Sequence, residues 1–345
     1  MELHIQSFGA KLRARGEVFM LTTPDMSGAG DHTVQEFAPQ QVKLILLYEN
    51  GGSASADALA LALKNDVDVL LCDVFGMPTG RFFSNEPSGV LTIQIAQSQL
   101  IGTPQGLEFV KLWLGRKLRR KLAFLERLER YREGEKAILL QATRRKLAEY
   151  HTLIGNMPTK QTPEAAASIR GYEGTASRIY FDTLSKLLQP EYRFNGRSRR
   201  PAQDIFNCFL NYGYGILYRL VEKTLIEAGV HPYGGFLHGL EKRQKAMVFD
   251  FMESYRPWVD HIVFMLCSRK LATLKHIVEK SNGYWLSNEG KTLMATAFRD
   301  WFNQREIEFE GALISPLLLI QKEALQFSKE LQQAWKTIKG VPSHH

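Results

Sequence analysis

The segment TPQGLEFVKLWLGRKLRRKLAFLERLER, residues 103–130, is where the character of the chain changes. From Leu107 to Leu128 its apolar residues recur three and four positions apart, which is the spacing of one face of an α-helix. The same spacing continues to about Tyr150 and is interrupted near Gly134. Because glycine disfavours a continuous helix, we predict two consecutive helices here.

Helical spacing also dominates the chain beyond this segment. Turns that contain Gly, Pro or Asn separate five further helical segments, namely 164–188, 202–228, 241–277, 289–305 and 316–338. The sequence contains no internal repeat and no low-complexity segment. We therefore predict that residues 101–345 form a larger all-α domain.

The hundred residues before the segment follow a different pattern. Val42–Tyr48 and Val67–Val74 are short apolar runs typical of buried strands, and Val90–Ile95 alternates apolar with polar residues like a half-buried strand. Ser55–Lys64 combines a serine N-cap with helix-forming Ala and Leu, which predicts one helix. The sequence thus predicts an α+β protein whose small β-rich domain spans residues 1–100.

Composition places the chain among ordinary globular proteins. Hydrophobic residues make up 44% and charged residues 23% of the 345 positions. The chain lacks the roughly 20 consecutive apolar residues of a membrane span, and its first residues resemble no secretory signal. Cys72, Cys208 and Cys267 lie far apart among apolar residues, which predicts reduced thiols in the core. We expect a cytoplasmic protein.

The charge is divided unevenly between the two predicted domains. Residues 1–100 carry a net charge of −5, whereas residues 101–345 carry +13. Clustered lysines and arginines gain affinity for a nucleic acid by displacing its counterions. The asymmetry therefore favours an anionic polymer as the partner of the second domain, although basic surface alone is weak support.

Four pieces of the predicted helical domain stand out together. In chain order they are GYEGTASRIYF (171–181), NGRSRRPAQDIFNCFLNYGYGILY (195–218), AGVHPYGGFLH (228–238) and DFMESYRP (250–257). Their order and spacing closely resemble the universal CRISPR-associated integrase of spacer acquisition, the Cas-one (Cas1) family. The resemblance also includes the strand–helix–strand pattern of the first domain and covers most of the chain.

The resemblance implies a metal-dependent DNA endonuclease and integrase. In such an enzyme the 3′-hydroxyl of a short DNA fragment attacks a repeat phosphodiester of the CRISPR array, and water in its place would cut DNA. The resemblance implies that Glu173, His238 and Glu253 are the catalytic ligands of one Mg²⁺ or Mn²⁺, with Asp250 as a supporting acid. It also implies double-stranded DNA as substrate, a homodimer formed by the first domain, and a complex with the small Cas-two (Cas2) protein.

The same residues also allow plainer interpretations. Glu173 taken alone is better interpreted as a solvated helix residue or as a partner of Arg178. His238 taken alone is better interpreted as an ordinary histidine at the start of a helix. Asp250 and Glu253 are different, because their i, i+3 spacing puts two like charges on one helix face among apolar neighbours. Burying them is costly unless a cation or a basic partner compensates. Two carboxylates and an imidazole are a ligand set that suits Mn²⁺ well and Mg²⁺ acceptably.

Two basic runs are candidates for DNA contact. Residues 111–146 contain 13 Lys and Arg against four Glu, which fits either a salt-bridged helix face or a phosphate-facing stripe. The second run crowds a Gly- and Pro-bounded loop before the NYGY helix, where arginines can grip phosphates bidentately or instead pair with nearby acids. A tyrosine hydroxyl of that helix can orient a phosphate. The predicted DNA-binding residues are Arg178, Arg193, Arg197, Arg199, Arg200 and Tyr214.

Two rival functions remain open from the sequence. A stand-alone nuclease for branched or repair-intermediate DNA would need no small partner and would favour hydrolysis over strand joining. A non-catalytic DNA-binding scaffold would have no use for paired carboxylates beside bound phosphates. A neighbouring CRISPR array would separate these alternatives from spacer integration.

Overall fold

The structure, a computed structural model, describes residues 1–24, 32–49, 51–84, 89–158, 163–199, 201–237, 244–280 and 282–338. The chain divides into two compact units, Met1–Ile95 and Ala96–His345. The first unit is rich in strands and the second is mostly helical, which confirms the predicted fold class.

The N-terminal unit contains two four-stranded sheets. One sheet has the order β1-β5-β7-β8 and the other β4-β3-β2-β6. In the first sheet β1, β5 and β7 are parallel and β8 is antiparallel to β7. The strands are β1 (Glu2–Ile5), β2 (Ala10–Arg15), β3 (Val18–Pro24), β4 (His32–Phe37), β5 (Leu44–Tyr48), β6 (Gly52–Ala54), β7 (Asp68–Cys72) and β8 (Pro78–Phe82).

The core of this unit follows from alternation along its strands. Leu3 and Ile5 of β1 are buried while Glu2 and His4 are exposed, and Leu12 of β2 is buried between exposed neighbours. The predicted helix α1 (Ala56–Lys64) begins as expected, since the Ser55 hydroxyl accepts a hydrogen bond from the Ala58 amide. Both predicted strands at 42–48 and 67–74 are confirmed, as β5 and β7.

The predicted strand at 90–95 is wrong. Residues Gly89–Leu100 form helix α2. Val90, Ile93, Ala96 and Leu100 are buried at three- and four-residue spacing, whereas Leu91 and Ile95 are exposed. The alternating stretch of six residues belongs to a longer segment with helical spacing, and that longer pattern decides the structure.

The C-terminal unit contains the predicted helices with small shifts at their ends. The interruption at Gly134 is confirmed, and this glycine has a φ of 60°. The helices are α3 (Pro104–Glu129), α4 (Gly134–Gly155), α5 (Pro163–Leu187), α6 (Ile205–Glu227), α7 (Ala246–Met252), α8 (Arg256–Ser268), α9 (Asn288–Gln304) and α10 (Pro316–Ile338).

The segment predicted as helical from 241 to 277 is divided. Pro257 stands in the first turn of α8, where a missing amide proton does no harm, so a new helix starts there instead of continuing α7. The segment ends in a strand of the hairpin β9 (Ile277–Lys280) and β10 (Gly283–Leu286). This hairpin and a second one, β11 (Ile307–Phe309) with β12 (Ala312–Ile314), were not predicted.

Helix α6 lies at the centre of the helical unit, where it packs against α7, α8, α9 and α10. Helix α3 packs against α4, α5, α7 and α8. Cys72, Cys208 and Cys267 are buried free thiols, as predicted for core residues. Within the described ranges, no helix combines the length and apolar character needed to cross a membrane.

Candidate functional site

Two acidic residues 80 positions apart in the chain meet at one lysine. Glu173 projects from α5, Glu253 follows the last residue of α7, and Lys117 lies on α3. The Lys117 Nζ donates to Glu173 Oε1 and, at 2.5 Å, to Glu253 Oε2. Lys117 is 4% exposed and Glu253 is 8% exposed, so this is an ion cluster largely withdrawn from water. The structure thus brings together two of the three predicted metal ligands.

The charges in this cluster stabilise one another. Burial disfavours the charged ammonium of Lys117 and would lower its pKa, but the negative charges of Glu173 and Glu253 outweigh that effect and raise the pKa. Burial likewise opposes the ionised form of both carboxylates and so favours a higher pKa. Lys117 and Lys121 nevertheless hold the pKa of Glu173 well below its usual range, and Arg256 with Lys117 lowers that of Glu253. Both carboxylates are therefore ionised at neutral pH.

Further groups surround the two carboxylates. Ser177, one turn after Glu173, donates to Glu173 Oε1 at 2.8 Å and itself accepts from Lys121 Nζ at 2.8 Å. The second oxygen of Glu253 lies 2.9 Å from Arg256 Nε. Lys121 is 1% exposed, and its burial lowers the pKa of its ammonium to about 7. Three cationic groups are thus arranged around two carboxylates.

The basic run at 111–146 therefore needs a correction. Lys117 and Lys121 do not belong to a phosphate-facing stripe, because both are buried against the acidic pair and its neighbours. Their positions contain a signal that the sequence analysis missed. They continue the three- and four-residue spacing of the buried Leu107, Val110 and Leu114, which is the inward face of α3.

Asp250 has a different role from Glu253 although the two are one turn apart. Its Oδ2 accepts hydrogen bonds from the backbone amides of Phe236 at 2.6 Å and Leu237 at 2.8 Å. A Cβ added to Gly235 would lie 2.6 Å from the Cβ of Ala246, so only glycine permits this close approach. Asp250, 2% exposed, anchors the chain just ahead of His238.

Side chains of two other helices hold the same segment. Gln97 of α2 donates to the carbonyls of His231 and Gly234, both at 2.8 Å, and accepts from the His231 amide. Arg170 of α5 donates to the Leu237 carbonyl at 3.2 Å. Residues 231–237 are thus fixed at several points of the backbone.

His238 and Arg200 lie outside the described residues. The description of this segment stops at Leu237, one residue before the predicted imidazole ligand. Among the residues that the structure does describe, no group of three or more His, Cys, Asp and Glu side chains is placed to hold a metal ion. The described part of the predicted ligand set is the pair Glu173 and Glu253.

Tyr214 of the NYGY motif is hydrogen-bonded to Asp260, an acidic residue that the sequence analysis did not single out. Its hydroxyl donates to Asp260 Oδ1 at 2.5 Å, and Asp260 is fully buried in α8. Burial and the nearby Asp260 raise the pKa of Tyr214 well above its usual value, so the hydroxyl stays protonated. The available signal was a lone aspartate within the apolar stretch of α8.

The remaining predicted DNA-binding arginines differ in their surroundings. Arg178, Arg193 and Arg199 are exposed. Arg197 is half-buried and donates to the side-chain oxygens of Asn207 and, at 3.0 Å, Asn211. Arg197 therefore braces its loop against α6 while the other three present their charge to solvent.

The chain has many relatives of known sequence. It matches the family described as CRISPR associated protein Cas1 over residues 3–300. A CRISPR-associated endonuclease Cas1 of Thermus thermophilus is 31% identical over 304 residues, which cover 87% of this chain and 86% of that protein. A second, from Archaeoglobus fulgidus, is 28% identical over 307 residues, covering 85% and 88%.

Solved structures share the fold at lower sequence identity. A casposase bound to its integration product superposes with a TM-score of 0.77 at 21% identity, covering 96% of this chain and 95% of that one. A Cas1 protein from Thermotoga maritima gives a TM-score of 0.74 at 18% identity, covering 96% of both chains. Because the family match spans most of its length, the chain belongs to the CRISPR-associated Cas1 family.

Proposed function

We propose that this chain is a metal-dependent DNA endonuclease and integrase that inserts new spacers into a CRISPR array. The observation that carries the proposal is the convergence of Glu173 and Glu253, from two separate elements, on one cationic atom. The curated relatives named CRISPR-associated endonuclease Cas1 support it at the level of the family. The reaction is attack by a 3′-hydroxyl on a repeat phosphodiester, and attack by water is the cutting reaction.

Glu173, Glu253 and His238 would hold Mg²⁺ or Mn²⁺. The two described residues fit this role, because their ionised carboxylate oxygens already face a common cation and oxygen ligands suit hard divalent ions. An imidazole adds preference for Mn²⁺. When bound, the ion would neutralise the negative charge that develops on the attacked phosphate and the leaving oxygen.

The protein's own contribution is to fix these ligands before the reaction. Arg256 and Ser177 restrain the carboxylates of Glu253 and Glu173, respectively. Asp250 holds the backbone that leads into His238. Ligands held in position need little reorganisation when the substrate arrives, which lowers the barrier to the chemical step.

The substrate is duplex DNA and the partner is Cas2. Relatives with this fold include a Cas1–DNA complex and a complex of Cas1 with Cas2, in addition to the casposase on its integration product. The exposed Arg178, Arg193 and Arg199 would contact phosphates, which positions a duplex without reading its sequence. The N-terminal domain predicted from the sequence, residues 1–100, would form the homodimer.

Strand joining tests this proposal. A labelled DNA fragment with a 3′-hydroxyl is incubated with a repeat-containing plasmid, with and without Cas2, in Mg²⁺, Mn²⁺, Ca²⁺ or excess EDTA. We expect joined product with Mg²⁺ or Mn²⁺ and none with EDTA. Ca²⁺ should support DNA binding but little chemistry, since it takes more ligands at longer distances. Turnover in excess chelator would contradict the metal mechanism.

Two variants make the assay specific to the site. His238→Ala and Glu253→Gln should both abolish cutting and joining while most DNA affinity remains, because phosphate contacts are made elsewhere. Glu289→Gln, at an exposed position of α9, is the matched control and should retain full activity. DNA binding without any chemistry in the unaltered protein would favour a scaffold. Cutting of branched DNA without joining would favour a stand-alone nuclease.

A further inference from the structure

Lys117 is bonded to both proposed metal ligands at once. Its ammonium donates to one oxygen of Glu173 and one oxygen of Glu253, and the side chain is almost fully buried. The other oxygen of Glu253 faces Arg256, and the bonded oxygen of Glu173 also accepts from Ser177. Three of the four carboxylate oxygens, namely Glu173 Oε1 and both oxygens of Glu253, therefore already contact groups of the protein itself.

The charge balance excludes a simple addition of a divalent ion to this arrangement. Glu173 and Glu253 contribute two negative charges, and the two cations paired directly with them, Lys117 and Arg256, contribute two positive charges. Lys121 lies one hydrogen bond farther away, on Ser177. A dication placed on the same oxygens would leave an excess of two positive charges in a poorly hydrated site, with the ammonium in direct repulsion. One of the cationic side chains must move away before the carboxylates can hold a metal.

Lys117 is the side chain suited to move. An ammonium is a compact point charge on a flexible stem of four carbons, whereas a guanidinium is a rigid planar group. Lys117 also sits between the two carboxylates, whereas Arg256 pairs with Glu253 from one side and lies over the Tyr214 ring. Withdrawal of Lys117 releases Glu253 Oε2 and removes one of the two donors to Glu173 Oε1 in a single movement.

We propose that Lys117 is an internal counter-ion that takes the place of the metal between Glu173 and Glu253 and must withdraw when the metal binds. It keeps the buried carboxylate of Glu253 and the half-buried carboxylate of Glu173 compensated and aligned in the metal-free protein, and it lowers the affinity of the site for divalent ions. This inference rests on the proposed function for the identity of the metal ligands. Its test, however, reads metal binding and not catalysis.

The experiment compares Mn²⁺ binding to the full-length metal-free protein and its variants, by counting free Mn²⁺ with electron paramagnetic resonance. Lys117→Met keeps the length of the side chain and removes the charge. In Lys117→Met no charge-assisted hydrogen bonds have to be broken before the metal binds, so this variant should bind Mn²⁺ at least about 100-fold more tightly. Lys111→Met, on the same helix but bonded to Glu108, is the matched control and should stay within about twofold of the unaltered protein.

Glu173→Gln shows how much of the Mn²⁺ binding occurs at this site. Mn²⁺ that this variant still binds is bound elsewhere on the protein, and that amount is subtracted from the binding measured for the other proteins. If Lys117→Met does not fold without metal, Lys117→Arg provides the second test. A guanidinium grips carboxylates more firmly, so this variant should fold and bind Mn²⁺ several-fold more weakly than the unaltered protein.

The outcomes separate this inference from the proposed function. Mn²⁺ binding by the unaltered protein that is lost in Glu173→Gln, with no tightening in Lys117→Met, overturns the counter-ion and leaves the metal ligands in place. Equal or tighter binding by Lys117→Arg also overturns it. Absence of Mn²⁺ binding at the site in every variant overturns both proposals.

Discussion

Replacing Asp250 should loosen the chain just ahead of His238. Its carboxylate accepts two buried backbone amides, those of Phe236 and Leu237, through a single oxygen. A hydrogen bond to a charged group contributes about 1.5–3 kcal/mol, and a buried amide left without an acceptor is costly in its own right. Asp250→Ala should therefore lower the free energy of unfolding by about 3–6 kcal/mol, a large part of the total stability of a typical domain.

Asp250→Asn is the more informative variant because it keeps the shape and one acceptor oxygen. Charge-assisted hydrogen bonds are about twice as strong as neutral ones, so roughly half of the stabilisation, about 1.5–3 kcal/mol, should be lost. Denaturant unfolding measures this loss, and hydrogen exchange should show faster opening at the amides of Phe236 and Leu237. Strand joining should fall with it, since His238 follows directly.

Asp182→Asn is the control for this pair of measurements. Asp182 is an exposed residue that pairs with Lys186 one turn later, and such pairs contribute about 0.3–0.5 kcal/mol. If Asp250→Asn were as stable as Asp182→Asn, with unchanged exchange at Phe236 and Leu237, the anchoring role of Asp250 would be refuted.

Three further predictions test the packing, the titration and the surface charge of the helical unit. Gly213→Ala should destabilise the protein by about 1–3 kcal/mol, because the new methyl would lie 2.5–2.6 Å from side-chain carbons of α8 and α9. Gly215 has open space around it, so Gly215→Ala should stabilise the protein by up to about 1 kcal/mol in the same unfolding assay. Burial lowers the pKa of His261 from 6.5 to about 3, so the unfolded chain takes up a proton that the folded protein refuses. The free energy of unfolding should therefore fall by about 1.3 kcal/mol from pH 7.5 to 5.5, a change that His261→Phe removes. Replacing the exposed Arg193 and Arg199 together by alanine should make the log–log salt dependence of duplex binding shallower by about 1.8 without loss of thermal stability; an unchanged slope would exclude phosphate contact.

The fold was largely predictable because long segments with helical spacing leave little choice. Helices α3, α4 and α6 were each located to within a few residues, and Ser55 caps α1 as expected. Short segments were less predictable. The six residues Val90–Ile95 taken alone fit a strand, and only the longer segment that includes the buried Leu100 shows the helical spacing. In the hairpin of β9 and β10, apolar and polar residues do not alternate clearly enough to predict two strands.

The sequence analysis predicted the acidic residues of the candidate site but not the cationic residues beside them. Glu173 and Glu253 were found because each lies in a distinctive motif. Lys117 was assigned to the surface because lysine usually lies there, although its position on the inward face of α3 argued otherwise. Its partners are 56 and 136 residues away, and only the packing of α3 against α5 and α7 brings them together.

Four buried or half-buried acids of the helical unit differ in the partner that compensates each one, and this difference supports the separate roles proposed for neighbouring carboxylates. Asp250 is held by backbone amides, which can leave only if the chain itself opens. Asp260 accepts a hydrogen bond from the buried hydroxyl of Tyr214, which is fixed in the middle of α6. Glu173 and Glu253 share a flexible ammonium that can withdraw without any change in the backbone. A carboxylate can exchange its partner for a metal only where that partner is free to move, and this supports the proposal that Glu253, and not Asp250 one turn before it, is the ligand.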